Sequence, residues 1–234
     1  MSWDSKTDYC GLAVANKLVI KGSNMNRSGQ YLRKAGRSGA ICATKPFGVT
    51  DAPSCEYTIK KAHSFADGDI KLGQVTTVDG KRYALESFTY STGADEEPTF
   101  SGVAKEIEAT TDGTDRMFDV PAFDISPEEE AEIQMSAATV SGSGCEVTKS
   151  VLTGASSVKP HTVNGVPVAS DVTMGYLEVA LTILQSSSTD PTVTPGTGWD
   201  LSAPLTCNDP DADYPEWTCT LSKPLSYHVA QANS

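Results

Sequence analysis

Apolar positions along the chain recur with a period of two, in short stretches that end at turn formers. That pattern marks strands rather than helices. Thr76 and Val78 precede Asp79-Gly80, and Tyr83, Leu85, Phe88 and Tyr90 follow it. Asp-Gly between two β-rich runs suits a type I′ turn, so 75–90 reads as a hairpin. A second hairpin runs from Ser87 to Val103 and closes through Gly93, Ala94, Asp95, Glu96, Glu97 and Pro98. The strongest apolar run, Tyr176 to Leu184, is rich in β-branched residues and reads as a buried strand. Two further strands, 201–206 and 216–221, flank a loop from Cys207 to Pro215. Asn164-Gly165 marks another hairpin turn, between Val163 and Val166. One stretch reads differently. Ser126 suits an N-cap, Pro127 the first helical position, and Glu128, Glu129 and Glu130 the positive end of a helix dipole. A helix is therefore expected near 127–137. The competing reading is an alternating strand from Glu132 to Val140.

The pattern also repeats. Cys55-Glu56-Tyr57-Thr58 matches Cys145-Glu146-Val147-Thr148, and the stretch from Asp69 to Val75 matches that from Asp171 to Leu177. Pro98 to Ser101 matches Pro215 to Thr218, and Val103 to Ile107 matches Leu221 to Leu225. Four blocks in the same order imply an internal duplication, the second copy carrying longer loops. Ser and Thr make up 50 of 234 residues, which fits solvent faces of strands and not a helical bundle. The expected fold is mainly β, a β-sandwich or barrel-like domain built from two unequal copies of a β-hairpin unit with one connecting helix. The expected organisation is an arm over 1–39, a first unit over 40–110, a connector over 111–140 and a second unit over 141–234. The two units together would form one compact domain.

Charge changes this picture by giving it direction. Residues 1–82 hold 13 Lys/Arg and 7 Asp/Glu, and residues 83–234 hold the remaining 5 and 23, so +6 and −18 sum to the net −12. Lys17, Lys21, Arg27, Arg33, Lys34 and Arg37 lie among glycine, serine and asparagine, a composition of a flexible basic arm. The acidic residues include two predicted hairpin tips, Asp95-Glu96-Glu97 and Asp209, Asp211 and Asp213. Opposite charges on two surfaces of one molecule favour head-to-tail contacts between copies, with the arm meeting the tips of a neighbour. The bland alternative is a solvated basic loop and solvated tips. The acidic balance argues against a partner recognised by phosphate neutralisation, and no run approaches the ~18 apolar residues of a membrane span. The first residues, from Met1 to Lys6, lack the apolar segment of a secretory signal.

Candidate chemistry adds little. The six cysteines, Cys10, Cys42, Cys55, Cys145, Cys207 and Cys219, contain no CxxC pair and have no histidine at ligand spacing, so they read as small buried apolar residues. A Cys207–Cys219 cross-strand disulfide is the alternative. His63, His161 and His228 share no motif, and there is no nucleophile elbow, P-loop or GxGxxG. The Asp209-x-Asp211-x-Asp213 series fails as an EF-hand, because Tyr214 stands where glycine is needed and Thr220 where glutamate is needed. No catalytic residue, metal or cofactor is expected, a calcium site of another kind in this acidic loop being the alternative.

Taken together, the Ser/Thr-rich hairpins, acidic tips, duplicated unit, intact Met1 and missing catalytic residues resemble a structural virion protein of a tailed bacteriophage, of the tail-tube kind. The resemblance covers roughly residues 40–225. It implies a β-sandwich with a flanking helix, loops that interlock stacked rings, a homo-oligomeric ring or tube, contacts with other virion proteins, and production in the host cytoplasm. It departs from complete tube domains in the small size of each copy, so a head-decoration or connector role stays open. The rival is a carbohydrate- or protein-binding β-module of the adhesin or tail-tip type, in which Trp199, Tyr214 and Trp217 would stack on sugars.

Overall fold

The computed structural model describes residues 18–35, 41–59, 64–78, 80–94, 96–107, 115–125, 133–163 and 166–229. Among them there are strands and turns and no helix. In chain order the strands are β1 (Leu18–Ala35), β2 (Ile41–Ile59), β3 (Lys71–Leu72), β4 (Val75–Val78), β5 (Lys81–Gly93), β6 (Glu96–Ile107), β7 (Arg116–Asp119) and β8 (Asp124–Ile125). They continue as β9 (Ile133–Gln134), β10 (Ala138–Ser141), β11 (Cys145–Val163), β12 (Val166–Gln185), β13 (Thr192–Pro195), β14 (Asp200–Cys207), β15 (Glu216–Leu225) and β16 (Tyr227–Val229).

Nine of these form one antiparallel sheet in the order β1-β2-β6-β5-β11-β12-β15-β14, with β4 also on β5. The second layer is built from small sheets, β16-β7-β3, β8-β9 and β10-β13. Two-residue alternation decides which face is inward. On β12, Leu177, Val179, Leu181 and Ile183 are buried, while Glu178, Ala180 and Thr182 between them are partly exposed. On β5 the inward parity changes. Tyr83 and Leu85 are buried before a register shift at Leu85/Ser87, and Phe88, Tyr90 and Thr92 after it. One bulged residue is what such a switch requires, since a one-residue slip turns every side chain over.

The hairpins expected from the sequence are present: Val78 faces Lys81 across the Asp-Gly turn, Gly93 faces Glu96, and Val163 faces Val166. Three expectations are corrected. The helix near 127–137 does not reach its expected end. Ile133–Gln134 is strand β9, paired with Asp124–Ile125, and Ile133 and Ala137 are buried in the core. Residues 126–132 lie outside the described residues. The basic stretch is not a loop over 18–35, because β1 pairs with β2 from Leu18↔Ile59 to Ala35↔Ile41. Cross-strand pairing overrides the poor strand propensity of its glycines and asparagines. The repeat blocks are only partly equivalent: the third and fourth lie on β6 and β15, each in a hairpin of the large sheet, but the second falls on the β3 turn in one copy and inside continuous β12 in the other. The large sheet runs through both predicted units, joined where β5 pairs with β11.

Glycine sets two close approaches. Phe88 lies between Gly102 of β6 and Gly154 of β11, and its ring stacks on Phe100 at 5.6 Å. A Cβ at Gly154 would overlap the Phe88 ring, and one at Gly175 would overlap Phe118 of β7. Gly154→Ala is expected to lower stability by about 1–3 kcal/mol, the ordinary range for overpacking, in urea denaturation monitored by fluorescence. An unchanged midpoint would mean that the ring can move aside.

An aromatic cluster ties the layers together. Phe65 stacks on Phe123 at 4.7 Å, and Tyr90 approaches Phe123 at 5.4 Å and Phe65 at 6.2 Å. The Tyr90 hydroxyl is buried and has no hydrogen-bond partner among the described residues. Burial, and then the negative charge of Asp124, push this phenol well above the ordinary tyrosine range. The folded state therefore keeps a proton that the unfolded state releases, and stability falls as pH rises past about 10. Tyr90→Phe is expected to be neutral or slightly stabilising at pH 7 and to flatten the alkaline loss, read from urea midpoints at both pH values. A large loss at pH 7 would contradict the unpartnered hydroxyl.

Candidate functional site

Strand register gives the large sheet two distinct ends. A single cross-strand row links Ser54 of β2, Val103 of β6, Ser87 of β5, Ala155 of β11, Tyr176 of β12 and Pro224 of β15. Beyond this row, in one direction, β1 and β2 pair with each other from Met25↔Pro53 to Ala35↔Ile41, with no third strand among the described residues. At a rise of about 3.3 Å per residue, that ribbon has a contour of roughly 35 Å. In the same direction β11 and β12 continue as a second, shorter ribbon, from Ser156↔Gly175 to Val163↔Val166. The two ribbons belong to separate parts of the sheet order, yet β2 and β12 touch.

The other end holds the turns. The β5–β6 turn after Gly93, the β14–β15 loop after Cys207 and the loops 142–144 and 186–191 all lie there, because Gly93 aligns with Lys149, Cys145 with Gln185, and Leu184 with Glu216. The nearest strands of the two acidic hairpins, β5 and β15, are three strand spacings apart, about 14 Å.

Charge follows this geometry. At the turn end Glu96, Glu97, Glu146, Asp190, Asp209, Asp211, Asp213 and Glu216 are all exposed. Lys149 stands among them and is engaged by Glu96 at 3.0 Å. The β14–β15 loop is internally ordered: the Asp211 N–H donates to Asp209 Oδ1 at 3.3 Å, and Asn208 Nδ2 donates to Glu216 Oε1 at 3.0 Å. At the ribbon end, the described residues 25–35 and 41–53 carry Arg27, Arg33, Lys34 and Lys45 against the single Asp51. Arg33, Lys34 and Ala35 are exposed at three consecutive positions. Successive strand residues point to opposite faces, so neither face of the ribbon is covered there.

The structure therefore brings Glu96, Glu97, Asp209, Asp211 and Asp213 to one end, and places Arg27, Arg33 and Lys34 on the ribbon at the other. Lys21 is separate from that group: it stands at the β1 register shift between Ile20↔Tyr57 and Gly22↔Glu56, beside the body of the sheet. Lys17, Arg37 and Asp95 lie outside the described residues. Sequence reasoning missed the β11/β12 ribbon as a two-stranded extension. Its Asn-Gly turn was visible, but nothing local shows that pairing with β5 ends eight residues earlier on β11, and with β15 at Gly175 on β12.

Other candidate groups are placed plainly. Trp199 is 5% exposed and lies under Lys223 Nζ at 5.8 Å, and Trp217 Nε1 donates to Gln185 Oε1 at 2.7 Å. Tyr214 is exposed. His161 meets Asp171 at 2.8 Å across the shorter ribbon, and His228 meets Asp119 at 3.3 Å where β16 closes on β7. Cys145, Cys207 and Cys219 are free thiols, so the Cys207–Cys219 disulfide is not formed. Among the described residues, no three or more His, Cys, Asp or Glu side chains converge on a common point that would hold a metal.

Neither a protein-family model nor a curated protein matches the chain.

Burial pushes the Cys219 thiol above its usual range, whereas Cys145 and Cys207 are partly exposed. Since the thiolate is the reactive form, Cys219 is expected to resist alkylation of the native protein while Cys145 and Cys207 are modified. Peptide mass spectrometry reads this directly, and early modification of Cys219 would show that β15 opens.

Proposed function

We propose that this chain is a self-assembling structural virion subunit of the tail-tube kind, without catalysis of its own, whose copies stack head to tail into rings or a tube. The observation that carries the reading is the segregation of opposite charges to opposite ends of one sheet. The basic end is presented on a projecting ribbon and the acidic end on fixed turns. Such a molecule is complementary to its own copy translated along the strands, and a contact between two different patches of one surface repeats until it closes or runs on as a filament. Charge complementarity of this kind governs register and association rate more than affinity. It also makes assembly fall as salt rises, since exposed charges are screened beyond ~8 Å at physiological ionic strength. The same ends would serve contacts with other virion proteins.

The test is association of the full chain at about 50 mM and about 500 mM salt, followed by sedimentation velocity and negative-stain imaging. Rings or tubes that disperse at the higher salt are expected, together with loss of assembly in the triple variant Arg33→Glu, Lys34→Glu, Arg37→Glu. Unchanged assembly of that variant would remove the charge mechanism. A protein that stays monomeric at every salt and binds glycans would replace the whole reading with the binding-module one.

A further inference from the structure

We infer that Tyr214 is the apolar anchor of the contact between copies, and that the β11/β12 ribbon of the next copy receives it. This rests on the head-to-tail reading above and adds a second, uncharged determinant to it. Tyr214 is 62% exposed in the acidic β14–β15 loop and is the one large apolar side chain exposed at that end among the described residues. It stands next to Asp213 and close to Asp209 and Asp211. A rigid ring with a polar tip is the residue type that concentrates binding energy at interface centres.

The receiving surface is identified by backbone irregularity as well as exposure. The β11/β12 ribbon has register shifts that leave one β12 residue without a cross-strand partner at two places. Val168 is skipped between His161↔Ala169 and Thr162↔Pro167, and Met174 between Ser156↔Gly175 and Ser157↔Thr173. Both skipped residues are apolar and turned out to solvent, at 51% and 74% exposure. Bulges re-aim side chains in this way. At Met174 the backbone is at φ +55°, a conformation costly for any residue but glycine and rarely kept without a purpose.

Charge decides the occupant. On the shorter ribbon Asp171 meets His161, and the exposed Lys159 stands opposite Asp171 in the register, so this ribbon adds a positive charge of its own near its apolar residues. The β1/β2 ribbon, which extends in the same direction, carries Arg27, Arg33 and Lys34. The ribbon end thus offers an apolar prong beside a basic one. The β14–β15 loop offers a tyrosine beside three aspartates. A second copy of this chain matches on both counts.

The test is a set of full-chain variants compared in the same association measurement: Tyr214→Ser, Val168→Ser and Met174→Asn each alone, Tyr214→Ser combined with each of the other two, and the pair Arg33→Glu and Lys34→Glu. Val168 and Met174 are six residues apart on β12, about 20 Å, so one ring reaches only one of them. Asparagine is used at 174 because it tolerates positive φ. Circular dichroism and thermal melting first establish that each variant is folded. Tyr214→Ser and one of the two single ribbon variants are each expected to raise the concentration needed for assembly about tenfold or more, with the salt dependence retained. The variant that joins Tyr214→Ser to that ribbon change is expected to lose less than the product of the two effects, because both changes break one contact. No effect of Tyr214→Ser, or effects that simply multiply, would overturn the inference. If Tyr214→Ser is silent while Arg33→Glu with Lys34→Glu abolishes assembly, the charge reading stands and the anchor falls. The converse result removes the charge mechanism and keeps the anchor. A wild-type chain that never associates removes both.

Discussion

Everything else in this fold hangs on the pairing of β5 with β11, from Ser87↔Ala155 to Gly93↔Lys149. Without it the large sheet separates into β1-β2-β6-β5-β4 on one side and β11-β12-β15-β14 on the other. The pairing in turn depends on a steric concession. Phe88 is buried at the joint, and the residues facing it on both neighbouring strands are glycines, Gly102 and Gly154. A side chain at 154 would take the volume that the ring fills. Tyr90 and Leu152 lie two residues further along the same inward face, and Tyr90 carries the aromatic contacts to Phe65 and Phe123 of the second layer. One glycine–aromatic fit thus links the two halves of the sheet to each other and to the small strands that cover them.

The second layer uses the same device. Phe118 of β7 sits over Gly175 of β12, and Gly73, at φ +79°, lets the β3 turn press against the carbonyl of Arg116. The β7 strand is also held by charge: Asp119 takes Lys71 at 3.8 Å and His228 at 3.3 Å, and Arg116 lies over the Tyr227 ring at 5.5 Å. These groups are half exposed, so each pair contributes little by itself. Their effect is to align β3, β7 and β16 once packing on Gly175 has fixed their depth.

Legibility in the sequence followed the range of the interaction. Hairpins were readable because Asp79-Gly80, Asn164-Gly165 and the alternation on β5 and β12 are local. The bulge on β5 also left a local trace, since Tyr83 and Leu85 are odd and Phe88 and Tyr90 even, but the hairpin reading of 75–90 passed over it. The basic stretch before Ala35 misled, because glycine, serine and asparagine disfavour a strand locally, while the partner that stabilises it, β2, begins only at Ile41. The Pro127 and Glu128–Glu130 signals misled in the opposite direction. They are sound N-terminal helix signals, but Ile133 and Ala137 downstream are claimed by the core, Ile133 through pairing with Ile125. The charge halves were legible as numbers. That they become the two ends of one object was not, since that depends on which way each hairpin points.

That last dependence has a simple geometric origin. In an antiparallel sheet successive turns fall at alternate ends, so the end at which a hairpin turns is fixed by the parity of the strands before it. The β1–β2 and β11–β12 turns fall at one end, and the β5–β6 and β14–β15 turns at the other. Arg33 and Lys34 lie on β1 at the first of these ends, and the aspartates and glutamates of the acidic tips lie at the second. Inserting one strand between β2 and β5 would bring both acidic hairpins to the ribbon end, where they would neutralise the basic ribbon within the same molecule. The net charge of −12 would be unchanged, but the molecule would have no complementary ends. Direction, and not the amount of charge, is therefore the property that the strand order protects. It exists only while β5 and β11 hold the two halves of the sheet in one register.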